Sequence, residues 1–311
     1  MLSNNQQIIT QEKFLINMFK KIHNNPFYLE KERAMISLGS FNEKQHCVYK
    51  CAFCYVQDGF YSYSRLSVED IIIFLKKNIK KYKIIYISGD TDSFAPPRTR
   101  EALRLMYNIV NDINCDILFT TRTTFSDENY SLLKQIVDIQ KQKQKQKLLY
   151  ACVSITRISN DYAYLEPTPV PSPKERIDVL KKLKRIGAVT VLAMRPFLPI
   201  VNVSDYIKII DEVKCFIDIV LGESFYFIRG GTVEKRVFFN GIAEDWEKDI
   251  LRNQIMSFDK NKEPVWDIWK ATKAESVIKS KCKKLGIIFS MHSDNAIEEF
   301  ITKNKTKNII K

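Results

Sequence analysis

The sequence predicts an α/β protein: a partial (β/α)6 barrel followed by an irregular, α-rich C-terminal extension. Two observations carry the barrel. From position 34 to about 220, short apolar runs alternate with amphipathic segments in units of ~30 residues, the rhythm of parallel strands joined by right-handed crossovers. Hydrophobic residues make up 45% of the 311 positions, enough to bury a sizeable core. A third observation places the chemistry. Cys47, Cys51 and Cys54, spaced C-x3-C-x2-C, follow the first apolar run within about ten residues, at the strand end where barrels and open α/β sheets put functional loops.

In chain order, residues 1–33 form an N-terminal helical extension. Its helix spans Glu12–His23, with Phe14, Leu15, Met18 and Phe19 at helical spacing, and Asn24-Asn25-Pro26 ends it. Residues 34–221 are the barrel. Ala34–Leu38, closed by Gly39, is its first strand. Ser67 caps a helix to about Lys81, with Glu69 and Asp70 in the first turn. Ile84–Ile87 is the second strand, ended by Ser88-Gly89-Asp90. Thr99 caps a helix to about Val110, Asp116–Thr121 is the third strand, and Ser126 opens the next helix. That helix frays into the alternating tract Lys141–Lys147, either a solvated helix end or a nucleic-acid contact.

Leu148–Thr156 is strand four. Pro173–Ile186 is helical and ended by Gly187, and Val189–Met194 is strand five. Val203–Lys214 is a helix and Phe216–Val220 the sixth strand. Residues 222–311 complete or cover the barrel. They hold a strand-like Phe225–Ile228, a helical region with Trp246, Trp266 and Trp269, one more strand within Gly286–His292, a last helix and a Lys-rich tail.

The net charge of +13 fits an anionic partner, or equally the Lys, Ile and Asn usage of an AT-rich genome. No stretch approaches the roughly 18 uninterrupted apolar residues of a membrane span, and the first twenty residues are polar. The expectation is a cytoplasmic chain with reduced thiols and no membrane partner.

Three thiolates packed this closely suit an iron–sulfur cluster, and three rather than four leave one iron open, as a catalytic metal requires. Zinc with His46 as fourth ligand is the main rival. Adjacent residues such as His46 and Cys47 rarely reach one tetrahedral centre together, and no second pair of ligands follows. A disulfide framework is unneeded in a reduced chain of this size. The spacing, with Phe53 and Tyr55 flanking Cys54, resembles the cluster loop of the radical S-adenosylmethionine (SAM) superfamily. That resemblance implies a [4Fe–4S] cluster on Cys47, Cys51 and Cys54, with SAM on the open iron and Tyr55 beside it. It also implies an external electron donor of flavodoxin or ferredoxin type, and a 5′-deoxyadenosyl radical that takes hydrogen from a substrate.

Further stretches resemble the spore photoproduct lyase-like branch of that superfamily. Ser88-Gly89-Asp90-Thr91-Asp92-Ser93-Phe94-Ala95-Pro96 stands where the superfamily has a Gly-Gly-Glu-like turn and the branch a Thr-Asp-Pro-Tyr-x-Pro loop. The resemblance gives Gly89 and Asp90 the amino group of SAM; an ordinary turn with a capping Asp is the alternative. Ser154, Glu166 in Leu165-Glu166-Pro167, and Arg176 follow the same branch, and Glu166 and Arg176 would brace the ribose and carboxylate of SAM. For Arg176 a surface helix cation is the alternative. Met194-Arg195-Pro196-Phe197-Leu198-Pro199-Ile200-Val201-Asn202 matches a Pro-x-x-Pro-x-x-Asn strand end, with Arg195 bringing a charge near the substrate.

By strand alternation Cys152, Ser154 and Thr156 share one face, which makes the Cys152 thiol the candidate catalytic side chain. Cys115, Cys215 and Cys282 stand alone and read as core residues. The branch resemblance implies nucleic acid, a DNA photoproduct, as substrate. A peptide or protein substrate is the second reading, and a non-catalytic, metal-stabilised binding protein is the alternative of another class.

Overall fold

The computed structural model describes residues 27–30, 32–38, 47–57, 67–89, 91–143, 147–238, 246–254 and 266–309. The predicted helix Glu12–His23, the residues His46 and Asp90, and positions 144–146 of the Lys-Gln tract lie outside the described residues.

The strands are β1 (Phe27–Glu30), β2 (Arg33–Ile36), β3 (Ile84–Ile87), β4 (Asp116–Thr121), β5 (Leu149–Ser154), β6 (Val189–Met194) and β7 (Ile219–Gly222). They continue as β8 (Phe225–Phe227), β9 (Ile250–Gln254), β10 (Trp266–Trp269) and β11 (Ile288–Ser290). The helices are α1 (Val68–Lys77), α2 (Thr99–Asp112), α3 (Asp127–Lys143), α4 (Pro173–Arg185), α5 (Val203–Val213), α6 (Thr232–Val237), α7 (Thr272–Leu285) and α8 (Ser293–Ile309). One eight-stranded sheet runs β1-β2-β3-β4-β5-β6-β7-β11. Pairing is antiparallel only between β1 and β2, so seven strands are parallel, one more than the six repeating units supply.

Strands β3, β5, β6 and β7 are buried at every residue, as parallel strands covered on both faces must be. On the outer face, Ile85, Ile87, Phe119, Val153 and Leu192 pack with the helices in one large core. On the inner face, Met35, Tyr86, Leu118, Tyr150, Cys152, Val191 and Leu221 form a second core closed by Ala296 and Ile297 of α8. Tyr150 meets Phe300 of α8 edge-on at 5.9 Å. The last helix thus fills the barrel floor and leaves the carboxyl ends of the strands for chemistry. Among the described residues no helix is long and apolar enough to cross a membrane.

Local signals explain most boundaries. Ser67 and Asp70 close a capping box on α1, and Ser172, Pro173 and Glu175 do the same for α4. After α4 the chain reverses through Gly187 at φ +89°, which a side chain would strain. Several expectations need correction. Thr99 does not cap α2: Arg98 holds the cap position, and the Thr99 hydroxyl donates to the Phe94 carbonyl at 2.7 Å. Helix α1 stops at Lys77, where the Asn78 amide donates to the Phe74 carbonyl, and a 3-10 turn over Ile79–Lys81 follows.

The sixth strand starts at Ile219 instead of Phe216. Asp218 spends its carboxylate on the Thr190 amide at 2.9 Å and on Lys184, delaying the ladder. Trp266 and Trp269 are in strand β10 of a three-stranded antiparallel sheet, β8-β10-β9, and not in a helix. The run Trp266-Asp267-Ile268-Trp269, rich in aromatic and branched residues, suits a pleated surface.

Candidate active site

The cysteine loop folds over the carboxyl end of the sheet and is stitched down at two points. The Ala52 amide donates to the Leu165 carbonyl at 2.9 Å, and the Tyr49 and Thr123 hydroxyls share a hydrogen bond of 2.6 Å. Cys51 is buried, while Cys47 and Cys54 are partly so. Burial pushes the Cys47 and Cys51 thiols up, and for Cys51 the opposing influence is Arg122. Both therefore keep their protons at neutral pH until a metal displaces them.

Beneath the loop lies a carboxylate surrounded by guanidiniums. Arg176 Nη1 donates to Glu166 Oε1 at 2.9 Å and Nη2 to Oε2, while Nη1 also reaches the Ser154 carbonyl at 2.6 Å. Arg122 Nε and Arg157 Nε stand 3.4 Å from the two Glu166 oxygens, and Thr156 Oγ1 donates at 3.1 Å. Burial works against the charge on Glu166, yet Arg176, Arg122 and Arg157 hold its carboxyl below the usual range. Asp92 acts on Arg122 and Asp205 on Arg157, so the guanidiniums and carboxylates here form one balanced buried network.

Tyr55 meets Tyr226 at 6.4 Å and Trp266 at 6.1 Å, both edge-on. Gly89 sits against β2, where a Cβ would fall 2.6 Å from Met35 Cε. Ser154 ends β5; its Oγ is buried and has no hydrogen-bond partner among the described residues. Glu166 and Arg176 are brought together, and Arg176 is fully buried, so the surface-cation alternative falls. Cys152 lies on the inner face, near Thr120, whose hydroxyl pairs with Tyr86 at 3.0 Å. Arg195 bridges the ends of three strands, donating to the Gly222 and Met291 carbonyls at 3.2 Å.

Sequence reasoning missed Arg122, Asp92 and Glu223. Arg122 places its guanidinium carbon 5.4 Å from the Phe53 ring centroid, beside the cysteine loop. Asp92 accepts from the Arg122 amide at 2.7 Å, from Thr121 Oγ1 at 3.0 Å and from the Phe94 amide at 3.0 Å. Glu223 follows β7; burial pushes its carboxyl up, with Arg195 foremost among the groups opposing that. Arg122 and Glu223 directly follow parallel strands, the signal that could have found them.

The donor set fits an iron–sulfur cube with an open iron. Three soft sulfurs lie on one loop beside the Arg122 guanidinium, and the buried Ser154 hydroxyl is left without a partner among the described residues. Among the described residues no group of three or more His, Cys, Asp or Glu side chains is arranged to hold a metal ion.

This fold and loop define the class: the chain belongs to the radical SAM superfamily, which residues 44–213, more than half of it, match. Members of that family use a [4Fe–4S] cluster and SAM. Over 180 residues the chain is 24% identical to ORF301, an uncharacterized protein of Acidianus two-tailed virus, covering 52% of this chain and 56% of that protein. The chain therefore spans about half the length of that curated relative.

Among solved structures it is similar to a spore photoproduct lyase with AdoMet and a dinucleoside spore photoproduct bound. The TM-score is 0.57 at 13% identity, over 78% of this chain and 73% of that one. It is also similar to a radical SAM methyltransferase from Kitasatospora setae bound to tryptophan and a SAM analogue. There the TM-score is 0.53 at 9% identity, over 88% and 62% of the two chains. At these identities the likeness is one of fold.

Proposed function

We propose that this protein is an enzyme that cleaves SAM reductively at a cluster held by Cys47, Cys51 and Cys54, and so starts radical chemistry on a nucleic-acid substrate. The observation that carries the reading is the docking of the three-cysteine loop, through Ala52 and Leu165, onto the buried Glu166–Arg176 pair and its neighbouring cations. When bound, the cluster supplies the electron that breaks the carbon–sulfur bond of SAM.

The chain's own residues have separate tasks. Ser154 Oγ and the neighbouring guanidiniums bind polar groups of SAM, Gly89 and Asp90 take its amino group, and Tyr55 walls the site with Tyr226 and Trp266. Glu166 and Arg176 are spent on each other, so they hold the loop's platform in shape. Cys152 is pushed up to about 11 by burial, against Arg195 and its hydrogen bond with Thr120. Its S–H stays intact at neutral pH, the form in which a thiol can give a hydrogen atom to a carbon radical.

Support for nucleic acid comes from the +13 charge and from the structural likeness to spore photoproduct lyase, which has been solved with a dinucleoside photoproduct. Anaerobic reconstitution should give about four irons and four sulfides per chain. Dithionite and SAM should then release 5′-deoxyadenosine. Stoichiometric zinc without iron would favour a binding protein instead. The substrate reading is tested by affinity for DNA, which should fall steeply with salt. No retention of single or double strands at low salt removes it and leaves a peptide or protein substrate.

A further inference from the structure

We propose that Arg122 tunes the reduction potential of the cluster by keeping one permanent positive charge against the cysteine loop. The inference rests on the cluster reading above and goes beyond it in naming what sets the cluster's electron affinity.

The placement is specific. Phe53 lies between Cys51 and Cys54 in the loop, and the guanidinium carbon of Arg122 stands 5.4 Å from its ring centroid. Arg122 is held there from three sides: its amide donates to Asp92 at 2.7 Å, Nε faces Glu166 at 3.4 Å, and Nη2 donates to the Arg195 carbonyl at 3.3 Å. These bonds leave Nη1 with no hydrogen bond among the described residues. Its side chain is 18% exposed, so water screens the charge only partly.

The other two guanidiniums on Glu166 are differently placed. Arg176 is fully buried and spent on Glu166 and the Ser154 carbonyl, and Arg157 donates to the Ser159 carbonyl at 3.2 Å. Glu166 can neutralise about one of the three, and Arg176 holds it bidentately. Asp92 also faces Arg122 and Cys47, and Arg122 is foremost among the charges acting on Cys51. Burial works against its charge, but Cys51, Glu166, Asp92 and Cys54 together hold it above the ordinary guanidinium range.

The physical consequence has a definite sign. Reduction adds one electron and so one negative charge to the cluster, and a nearby cation stabilises the reduced form more than the oxidised one. Net charge and hydrogen bonding around the sulfurs are among the factors that set such potentials. An arginine cannot lose its proton in water, so the effect is independent of pH. Arg122 is in this sense a positioning residue for charge. Removing it should make the cluster harder to reduce.

The test compares the full chain, Arg122→Gln and Arg122→Lys, each loaded anaerobically with iron and sulfide and titrated with dithionite under electron paramagnetic resonance. At equal iron content Arg122→Gln should show a more negative midpoint than wild type, and Arg122→Lys should lie closer to wild type. Equal midpoints for wild type and Arg122→Gln overturn the proposal. Iron retained by Arg122→Lys but lost from Arg122→Gln supports it, since the charge is then required even for loading. Iron lost from both variants overturns it and makes Arg122 a packing prop. A wild-type chain that takes up no iron sinks the cluster reading itself, a different failure.

Discussion

Arg176 and Glu166 meet as a fully buried, two-pronged ion pair, with Nη1 to Oε1 at 2.9 Å and Nη2 bonded to Oε2. Breaking such a pair strands a charge in the interior. Arg176→Met should therefore destabilise the fold by about 3–5 kcal/mol. Arg122 and Arg157, each 3.4 Å from the carboxylate, pull the cost toward the lower end of that range. Chemical denaturation followed by circular dichroism measures it, and an unchanged midpoint would contradict the burial of the pair.

The same pair shapes the acid side of the stability curve. The folded pKa of Glu166 lies below its unfolded value, because the three guanidiniums outweigh burial. Its contribution is complete above the unfolded value of about 4.3 and is lost as pH falls through the lower folded value. Glu166→Gln should accordingly be less stable than wild type at neutral pH, with the difference shrinking across that acid window.

Glu223 should behave in the opposite sense. Burial raises its folded pKa, so its penalty is absent below about 4.3 and appears as pH rises through the folded value. Glu223→Gln should be more stable than wild type at pH 8 and equal to it near pH 4. Melting temperatures across that range decide the matter, and a gap that widens toward acid would refute it.

Gly222 and Gly89 make a paired test of packing at the strand ends. A Cβ on Gly222 would meet Phe197 Cε2 at 2.5 Å and Met291 Sδ at 2.7 Å, and Phe197 is fully buried. A Cβ on Gly89 would meet only the flexible tip of Met35, at 2.6 Å. Gly222→Ala should cost about 1–3 kcal/mol by overpacking, and Gly89→Ala less. The reverse order in denaturant midpoints would count against the placement of β7 beside Phe197.

Among the cysteines, alanine at Cys47, Cys51 or Cys54 should abolish iron loading, whereas Cys115→Ala, Cys152→Ala and Cys282→Ala should leave it intact. Iron and sulfide analysis after anaerobic reconstitution separates the two groups. Loss of iron in Cys152→Ala would move that thiol from the barrel interior to the cluster.

The sequence by itself determined the strand–helix repeat, because strands buried on both faces read as unbroken apolar runs such as Ile84–Ile87 and Val189–Met194. It also determined the capped start of α1 through Ser67, the start of α4 at Pro173, and the three-thiol loop, since caps and ligand spacing are local properties of the chain. What only the tertiary structure decided is long-range. Pairing of β11 with β7, the seating of α8 under Tyr150, and the arrival of Trp266 in a strand depend on partners far away in sequence. The convergence of Arg122, Arg157 and Arg176 on Glu166 is of the same kind. Each cation stands alone in the sequence. Only the parallel register of β4 and β5 puts the turn that follows each strand side by side, where one buried carboxylate must answer several charges at once.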